Sequence, residues 1–224
     1  MCAYGMFMAC TSILVLAPIP ASAYQIRVIW QVNPSTPIVI TEPEIRTLWY
    51  DELRGSARVY EIDSSQPFRF VAQLAVPDRE SPRTDYVVEI IEVSGGAATP
   101  DRVFASFDGS GVAWERTYNW VDGRWYLTGL SIDEQVPPGR YRVTVENGVN
   151  QGKYLFTVGS TIDPAQMYEP LRTLGTLPAV SVYHGDTLLS VARSPFAWVP
   201  ILVLLGIALL LGRTYRYLTR EEYV

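Results

Sequence analysis

The chain has 224 residues and a formal net charge of −5, from 18 Lys and Arg against 23 Asp and Glu. That balance shows no nucleic-acid footprint. One histidine and two cysteines, Cys2 and Cys10, exclude zinc sites built on histidine clusters and a disulfide-stapled scaffold.

Residues 1–23 read MCAYGMFMACTSILVLAPIPASA. The apolar part, Met6 to Ala17, is short, is followed by Pro18 and Pro20, and ends near the A-x-A signal Ala21-Ser22-Ala23. This predicts a secretory signal peptide, with the mature chain starting near Tyr24. No Lys or Arg precedes the apolar run, so an uncleaved anchor is the alternative. Both cysteines fall in this leader, and the exported part is then thiol-free and held by packing alone. Setting aside both apolar ends leaves roughly 170 residues, enough for one domain with a real core.

From Gln25 to Val158 the pattern is period two. Ile26, Val28, Trp30 and Val32 alternate with polar residues, and Ile38 to Ile40 resumes after Pro34 and Pro37. Ala57 to Ile62 follows. Phe68, Phe70, Ala72, Leu74 and Val76 share one face of the next strand. Tyr86 to Val93 and Val103 to Phe107 are strands, with loops at Pro77 to Thr84 and Ser94 to Pro100.

Val112 to Trp120 and Arg124 to Leu130 read as a hairpin closed by Asp122-Gly123, a pair that tolerates positive φ. That turn sets Trp120 opposite Trp125 and Tyr118 opposite Leu127, with Trp114, Tyr118, Trp120 and Trp125 on one face. These four rings are the candidate ligand-binding residues, because flat rings stack on sugars or fill a partner's pocket. The competing expectation puts Trp120 and Trp125 in the core beside Leu127. A final pair of strands carries Tyr141, Val143 and Val145, then Tyr154, Phe156 and Val158. Tyr141, just inside a strand after a tight turn, is either a corner tyrosine bonded to backbone upstream or an ordinary cross-strand aromatic. About eight or nine strands without crossover helices predict an all-β fold, an antiparallel two-sheet β-sandwich of jelly-roll or immunoglobulin-like type.

Val136-Pro137-Pro138-Gly139-Arg140-Tyr141-Arg142-Val143-Thr144-Val145 and Asn150-Gln151-Gly152-Lys153-Tyr154-Leu155-Phe156-Thr157-Val158 each place Gly-x-Tyr ahead of an alternating strand. This resembles the closing strand pair of bacterial pre-peptidase C-terminal-type domains, and Arg58 to Ile62 with Pro67 to Phe70 is similar to their opening strands. The resemblance implies a non-catalytic jelly-roll appended to a secreted protein. The acidic residues that bind calcium in some relatives are not recognisable. The whole layout, including Tyr50-Asp51-Glu52-Leu53, also resembles an uncharacterised group of prokaryotic membrane-anchored sandwich proteins.

Residues 161–195 read as a juxtamembrane stalk. Asp163-Pro164 opens a short helix, with Met167, Leu171, Leu174 and Leu177 as its apolar stripe and Leu177-Pro178 as its end. Val180 to Ala192 is either a second helix or a linker. Phe196 to Gly212 carries no charge and covers about 25 Å as a helix, near the hydrocarbon thickness of a bilayer. Phe196, Trp198, Val203, Leu204, Leu209 and Leu210 are its anchor residues, with Pro200 in the first turn and Arg213 and Arg216 flanking the far end. The arginine-bearing tail, 213–224, predicts a cytoplasmic C-terminus, so residues 24–160 form an extracytoplasmic domain on a single-pass cell-membrane protein of type I topology.

Chemistry is sparse. A Ser-His-Asp triad needs His184, and His184-Gly185-Asp186 reads as a turn outside the sandwich. Lys153 reads as an exposed strand-end lysine rather than the base of a Ser–Lys pair. Asp78, Glu80, Asp85 and Asp108 fall in loops, as solvated charges, a calcium cage or a glycosidase pair. The predicted function is a non-catalytic, cofactor-free binding module, with the bilayer as one partner through 196–212 and a protein or carbohydrate outside the cell as another. The alternatives are an assembly subunit of an envelope complex and a membrane-bound glycoside hydrolase.

Overall fold

The computed structural model describes residues 25–30, 33, 36–94, 100–161 and 170–220. The leader, Asp163-Pro164, Met167 and residues 221–224 lie outside the described residues. The strands are β1 (Gln25–Val28), β2 (Ile38–Ile40), β3 (Thr47–Arg54), β4 (Arg58–Ser64), β5 (Phe68–Pro77), β6 (Tyr86–Val93), β7 (Arg102–Asp108), β8 (Glu115–Asn119), β9 (Arg124–Val136), β10 (Gly139–Asn147) and β11 (Gln151–Val158). Helix α1 is Pro170–His184, a 3-10 turn η1 is Gly109–Gly111, a second, η2, is Leu188–Arg193, and α2 is Pro195–Arg220.

Two sheets pack face to face. One has the order β1-β3-β11-β5-β9-β8 and the other β2-β4-β10-β6-β7. Phe68, Phe70, Ala72, Leu74 and Val76 all point into the space between them, as alternation along β5 predicts, and meet Tyr86, Val88, Ile90, Val143 and Val145.

The sandwich is as expected, but its sheets are mixed. β1 runs parallel to β3 and β2 parallel to β4, while the other pairs are antiparallel. From β1 to β6 the chain changes sheet at every connection, so it returns to each sheet in the direction it left. Among the described strands, same-sheet hairpins occur only at β6–β7 and β8–β9. The last two strands are therefore not a pair. β10 lies between β4 and β6, and β11 between β3 and β5, in opposite sheets. Tyr141 is a corner tyrosine, its hydroxyl donating to Pro137 O at 2.9 Å.

The period-two pattern does not mark β3, for a physical reason. Leu48 and Tyr50 face one side, Trp49, Asp51 and Leu53 the other, and both sides are buried. A strand covered on both faces shows no alternation. Its second cover is α1, whose Val180 and Tyr183 pack with Ile26, Leu48, Tyr50, Val121, Tyr126 and Leu155 on the outer face of the six-stranded sheet.

Residues 170–194 are thus part of the globule rather than a stalk. Helix α1 passes through Pro178 and ends at His184. Among its described side chains the buried ones are Thr173, Leu177, Val180, Ser181, Tyr183 and His184, so of the expected stripe Leu177 is buried and Leu174 partly so. The C-terminal carbonyls of α1 are capped by cations from the sheet side. Lys153 Nζ donates to Tyr183 O, and Arg79 Nη2 donates to His184 O at 3.0 Å. Lys153 is therefore a half-buried clamp rather than a free strand end, and burial pulls its ammonium below the usual lysine range.

Helix α2 begins one residue before the expected span, which puts Pro200 in its second turn, and it continues past Arg213 and Arg216. Among the described residues no side chain of its apolar stretch, Pro195–Tyr215, is buried, and only its base touches the rest of the protein. By length and composition it is able to cross a membrane.

Candidate functional site

The β8–β9 hairpin carries the candidate rings, and its register differs from the expected one. Tyr118 pairs with Trp125 and Asn119 with Arg124, so the connection is the four residues Trp120 to Gly123. Gly123 N donates to Asn119 O at 2.9 Å. The Asn119 side chain accepts from Val121 N, and Asp122 Oδ1 accepts from Arg124 N, which favours this longer turn over a tight two-residue one.

The shift breaks up the expected face. Trp120 stands in the turn, 67% exposed, and Trp125 is 47% exposed, so neither belongs to the core. Both rings contact Tyr118 with centroids 5.1 Å apart. The Arg116 guanidinium lies 4.5 Å from the Trp125 centroid and pairs with Asp78 at 2.6 Å. Arg116, Tyr118, Trp120 and Trp125 form one patch on the β8–β9 hairpin at the edge of the six-stranded sheet. Trp114 is apart from them. It packs against the inter-sheet core beside Phe107, and its Nε1 donates to Gly109 O at 2.9 Å. The space it fills exists because Gly129, at a β-bulge opposite Leu74 and Ala75, has no Cβ.

Three of the four loop carboxylates have partners of their own. Asp78 is held by Arg116, Asp85 pairs with Arg83 at 3.3 Å, Asp108 caps η1 by accepting from Ser110, and Glu80 is exposed. Among the described residues no group of three or more His, Cys, Asp or Glu is placed to hold a metal ion. A shallow depression beside Glu52, Arg54, Arg83 and Gln151 is open, and its arginines pair with neighbouring carboxylates.

Two buried polar clusters escaped the sequence reading. Asp51, on β3, receives Arg58 Nε at 2.9 Å, the Tyr60 hydroxyl at 3.0 Å and the Tyr154 hydroxyl at 3.2 Å. Burial pushes its carboxyl up, and the Arg58 charge pulls against that shift. A carboxylate inside the aromatic run Leu-Trp-Tyr-Asp-Glu-Leu was the available signal.

The second cluster lies under α1. Asp122 Oδ2 accepts from Tyr126 at 2.5 Å and from Tyr50 at 3.1 Å. The Tyr126 oxygen is 2.9 Å from His184 Nε2. A hydroxyl has one proton, so with Tyr126 donating to Asp122 the imidazole donates Nε2–H to Tyr126. Burial lowers the His184 pKa from 6.5, with Asp122 acting in the opposite sense. Burial likewise raises the phenols of Tyr50 and Tyr126, which stay neutral donors. His184 is therefore a structural tie between α1 and the sheet, not a residue of an outlying turn.

The turn is also joined to the base of α2. Ser194 caps that helix, its Oγ accepting from Phe196 N at 3.2 Å, while the same hydroxyl donates to Val121 O at 2.6 Å. Arg124 reaches Asp186 at 2.5 Å and Ser190 at 3.3 Å, and Arg193 pairs with Asp186 at 3.2 Å. Gly123, at φ 70°, lies against the Arg193 carbonyl so closely that no Cβ fits. Gly123→Ala is expected to cost more stability than Gly55→Ala, where φ is 88° but the space is open. The second change costs about 1–2 kcal/mol of left-handed strain, and the first adds a backbone clash. Parallel thermal melts of the two variants check this.

These features define a two-sheet β-sandwich closed by a C-terminal segment and continued by one long apolar helix. No family model and no curated protein matches the sequence. Among solved structures, the chain is similar to the pre-peptidase C-terminal domain of a collagenase from Bacillus anthracis. That match has 11% identity over 57% of this chain and 98% of that one, with a TM-score of 0.34. It is also similar to CBM35 from Cellvibrio japonicus Abf62, with 19% identity over 49% of this chain and 69% of that one, and a TM-score of 0.24. The first is a domain of the type that the β10 and β11 motifs resemble. Neither likeness bears on function.

Proposed function

We propose that this protein is a single-pass, membrane-anchored, extracytoplasmic β-sandwich that acts as a non-catalytic binding module at the cell surface. The observation that carries the reading is the uncovered apolar helix, joined without a linker to a folded sandwich. A cylinder about 25 Å long and 10 Å wide has about 800 Å² of side wall. Soluble monomers rarely show an apolar patch beyond roughly 300–600 Å². Lipid is the solvent that suits such a surface. The arginines at the far end favour a cytoplasmic C-terminus.

Protease added to intact cells is expected to remove the sandwich and leave a small C-terminal stub. Survival of the large portion in intact cells, with rapid digestion after lysis, overturns the topology. Export of the chain without Phe196 to Val224 is expected to give a soluble, β-rich protein by circular dichroism.

The binding surface in this reading is centred on Trp125, with Tyr118 and Arg116 beside it. Exposed rings next to a guanidinium suit stacking on a sugar or anchoring a protein partner. Trp125→Ala is expected to weaken capture of the partner about thirtyfold, the size of an interface hot spot of about 2 kcal/mol. Pull-down from solubilised membranes, alongside a panel of cell-wall polysaccharides, provides the measurement. Equal capture by wild type and variant removes Trp125 from the site.

A further inference from the structure

The uncharged run from Pro195 to Gly212 leaves no slack between the sandwich and the bilayer. Its 18 residues rise about 27 Å, against about 30 Å of hydrocarbon. With Arg213 at the inner boundary, the outer boundary falls at Pro195 or beyond it. Ser194 and whatever is bound to it then lie in the headgroup layer, which is about 5–8 Å deep on each side. What is bound to Ser194 is the β8–β9 turn, through Val121 O at 2.6 Å.

Trp120, next to Val121, is 67% exposed. On the chain leading into the same helix, Leu188 and Leu189 are 63% and 86% exposed, although Ser190 beside them is buried. Trp198, in the first turn of α2, is half exposed, and its Nε1 donates to Ala192 O at 2.9 Å. Two indoles and two leucines therefore surround the point where the helix leaves the domain. Amphipathic rings favour that depth.

We propose that the β8–β9 turn and η2 form a lipid-docking collar. Trp120, Leu188 and Leu189, with Trp198, enter the interfacial layer of the bilayer that α2 crosses and hold the sandwich in one orientation. This rests on the anchored reading above. It assigns Trp120 to lipid and leaves Tyr118 and Trp125 to a ligand met close to the membrane. The Arg124–Asp186 ion pair joins the two arms of the collar, and Arg193–Asp186 holds the η2 arm on itself.

The test uses the full chain carrying Cys2→Ser and Cys10→Ser, reconstituted into phosphatidylcholine–phosphatidylglycerol vesicles. An environment-sensitive fluorophore is attached through one of four single changes, Trp120→Cys, Leu189→Cys, Ile207→Cys or Val103→Cys. Val103, exposed on the edge strand β7 of the other sheet, is the reference for a water-facing site. Headgroup-labelled nitroxide lipid is expected to quench positions 120 and 189 at least threefold more than position 103. Chain-labelled nitroxide lipid is expected to quench position 207. Quenching at 207 with 120 and 189 no different from 103 overturns the collar and leaves the anchor standing. No quenching at 207 overturns the anchor, and the collar with it.

Discussion

Arg58→Ala is expected to cost about 3–5 kcal/mol, the penalty for stranding a buried charge. Arg58 and Asp51 have side chains only 3% and 1% exposed, and among the described residues the guanidinium is the one cation bonded to that carboxylate. A domain of this size shifts by about 2–4 °C per kcal/mol, so the melting midpoint is expected to fall by about 6–20 °C. The Tyr60 and Tyr154 hydroxyls keep two hydrogen bonds to Asp51, which sets the loss toward the lower end. The double change Asp51→Leu with Arg58→Met is expected to recover only part of it, because one of the Tyr60 and Tyr154 hydroxyls can donate to the other and the second is left without an acceptor. The double change removes both charges together and also removes Nη1 of Arg58, a buried donor with no hydrogen-bond partner among the described residues. Thermal unfolding of the full chain in detergent, followed by tryptophan fluorescence, measures all three proteins. A single variant as stable as wild type shows that the pair contributes little to stability.

That pair also shows what the sequence could and could not reveal. Strands with one wet face and one dry face were readable. β5 and β6 are such strands, and their alternation locates the inter-sheet core. β3 was not readable, because α1 covers the face that would otherwise have been polar. The same cover explains His184. In the sequence it looks like part of a loop between a helix and a membrane span, and only the packing of α1 against Tyr50 and Tyr126 brings it to Asp122. The hairpin was legible as an element but not in its register. Asp122-Gly123 favours a tight turn locally, whereas Asp122 is drawn inward by two phenols and Gly123 by the approach of Arg193. Tertiary contacts lengthened the turn from two residues to four, shifted the pairing by two and carried Trp120 out of the strand face. Trp114, a candidate ligand-binding ring in the sequence, packs instead against the core, and the glycine that admits it sits at a bulge that no local pattern announces.

Asp122→Ala is expected to have an effect of similar size at the other cluster, because it strands two buried hydroxyls. Tyr50 and Tyr126 both donate to Oδ2, and a buried donor without a partner costs about 1–3 kcal/mol. The sum is about 2–6 kcal/mol, concentrated where α1 meets the sheet. Amide exchange at Val180 to His184 is therefore expected to accelerate more than exchange in β10, whose neighbours are far from Asp122 in the other sheet. Asp122→Asn is expected to fall between wild type and alanine. One amide oxygen suffices for the two phenols, but the amide nitrogen then faces the Arg124 N–H that Oδ1 now accepts. The pH dependence follows from His184, whose folded pKa lies below its ordinary 6.5. Above 6.5 the imidazole is neutral in both states, and its contribution to stability is complete. Below 6.5 the unfolded chain takes up a proton that the folded one resists, so that contribution is lost as pH falls through the folded value. Arg124 and Arg79 add to the resistance, and Asp122 opposes it. His184→Gln keeps an N–H to offer Tyr126 and does not titrate, so it is expected to flatten the acid limb of α1 exchange below pH 6.5. An acid limb as steep in that variant as in wild type would transfer the effect to the carboxylates.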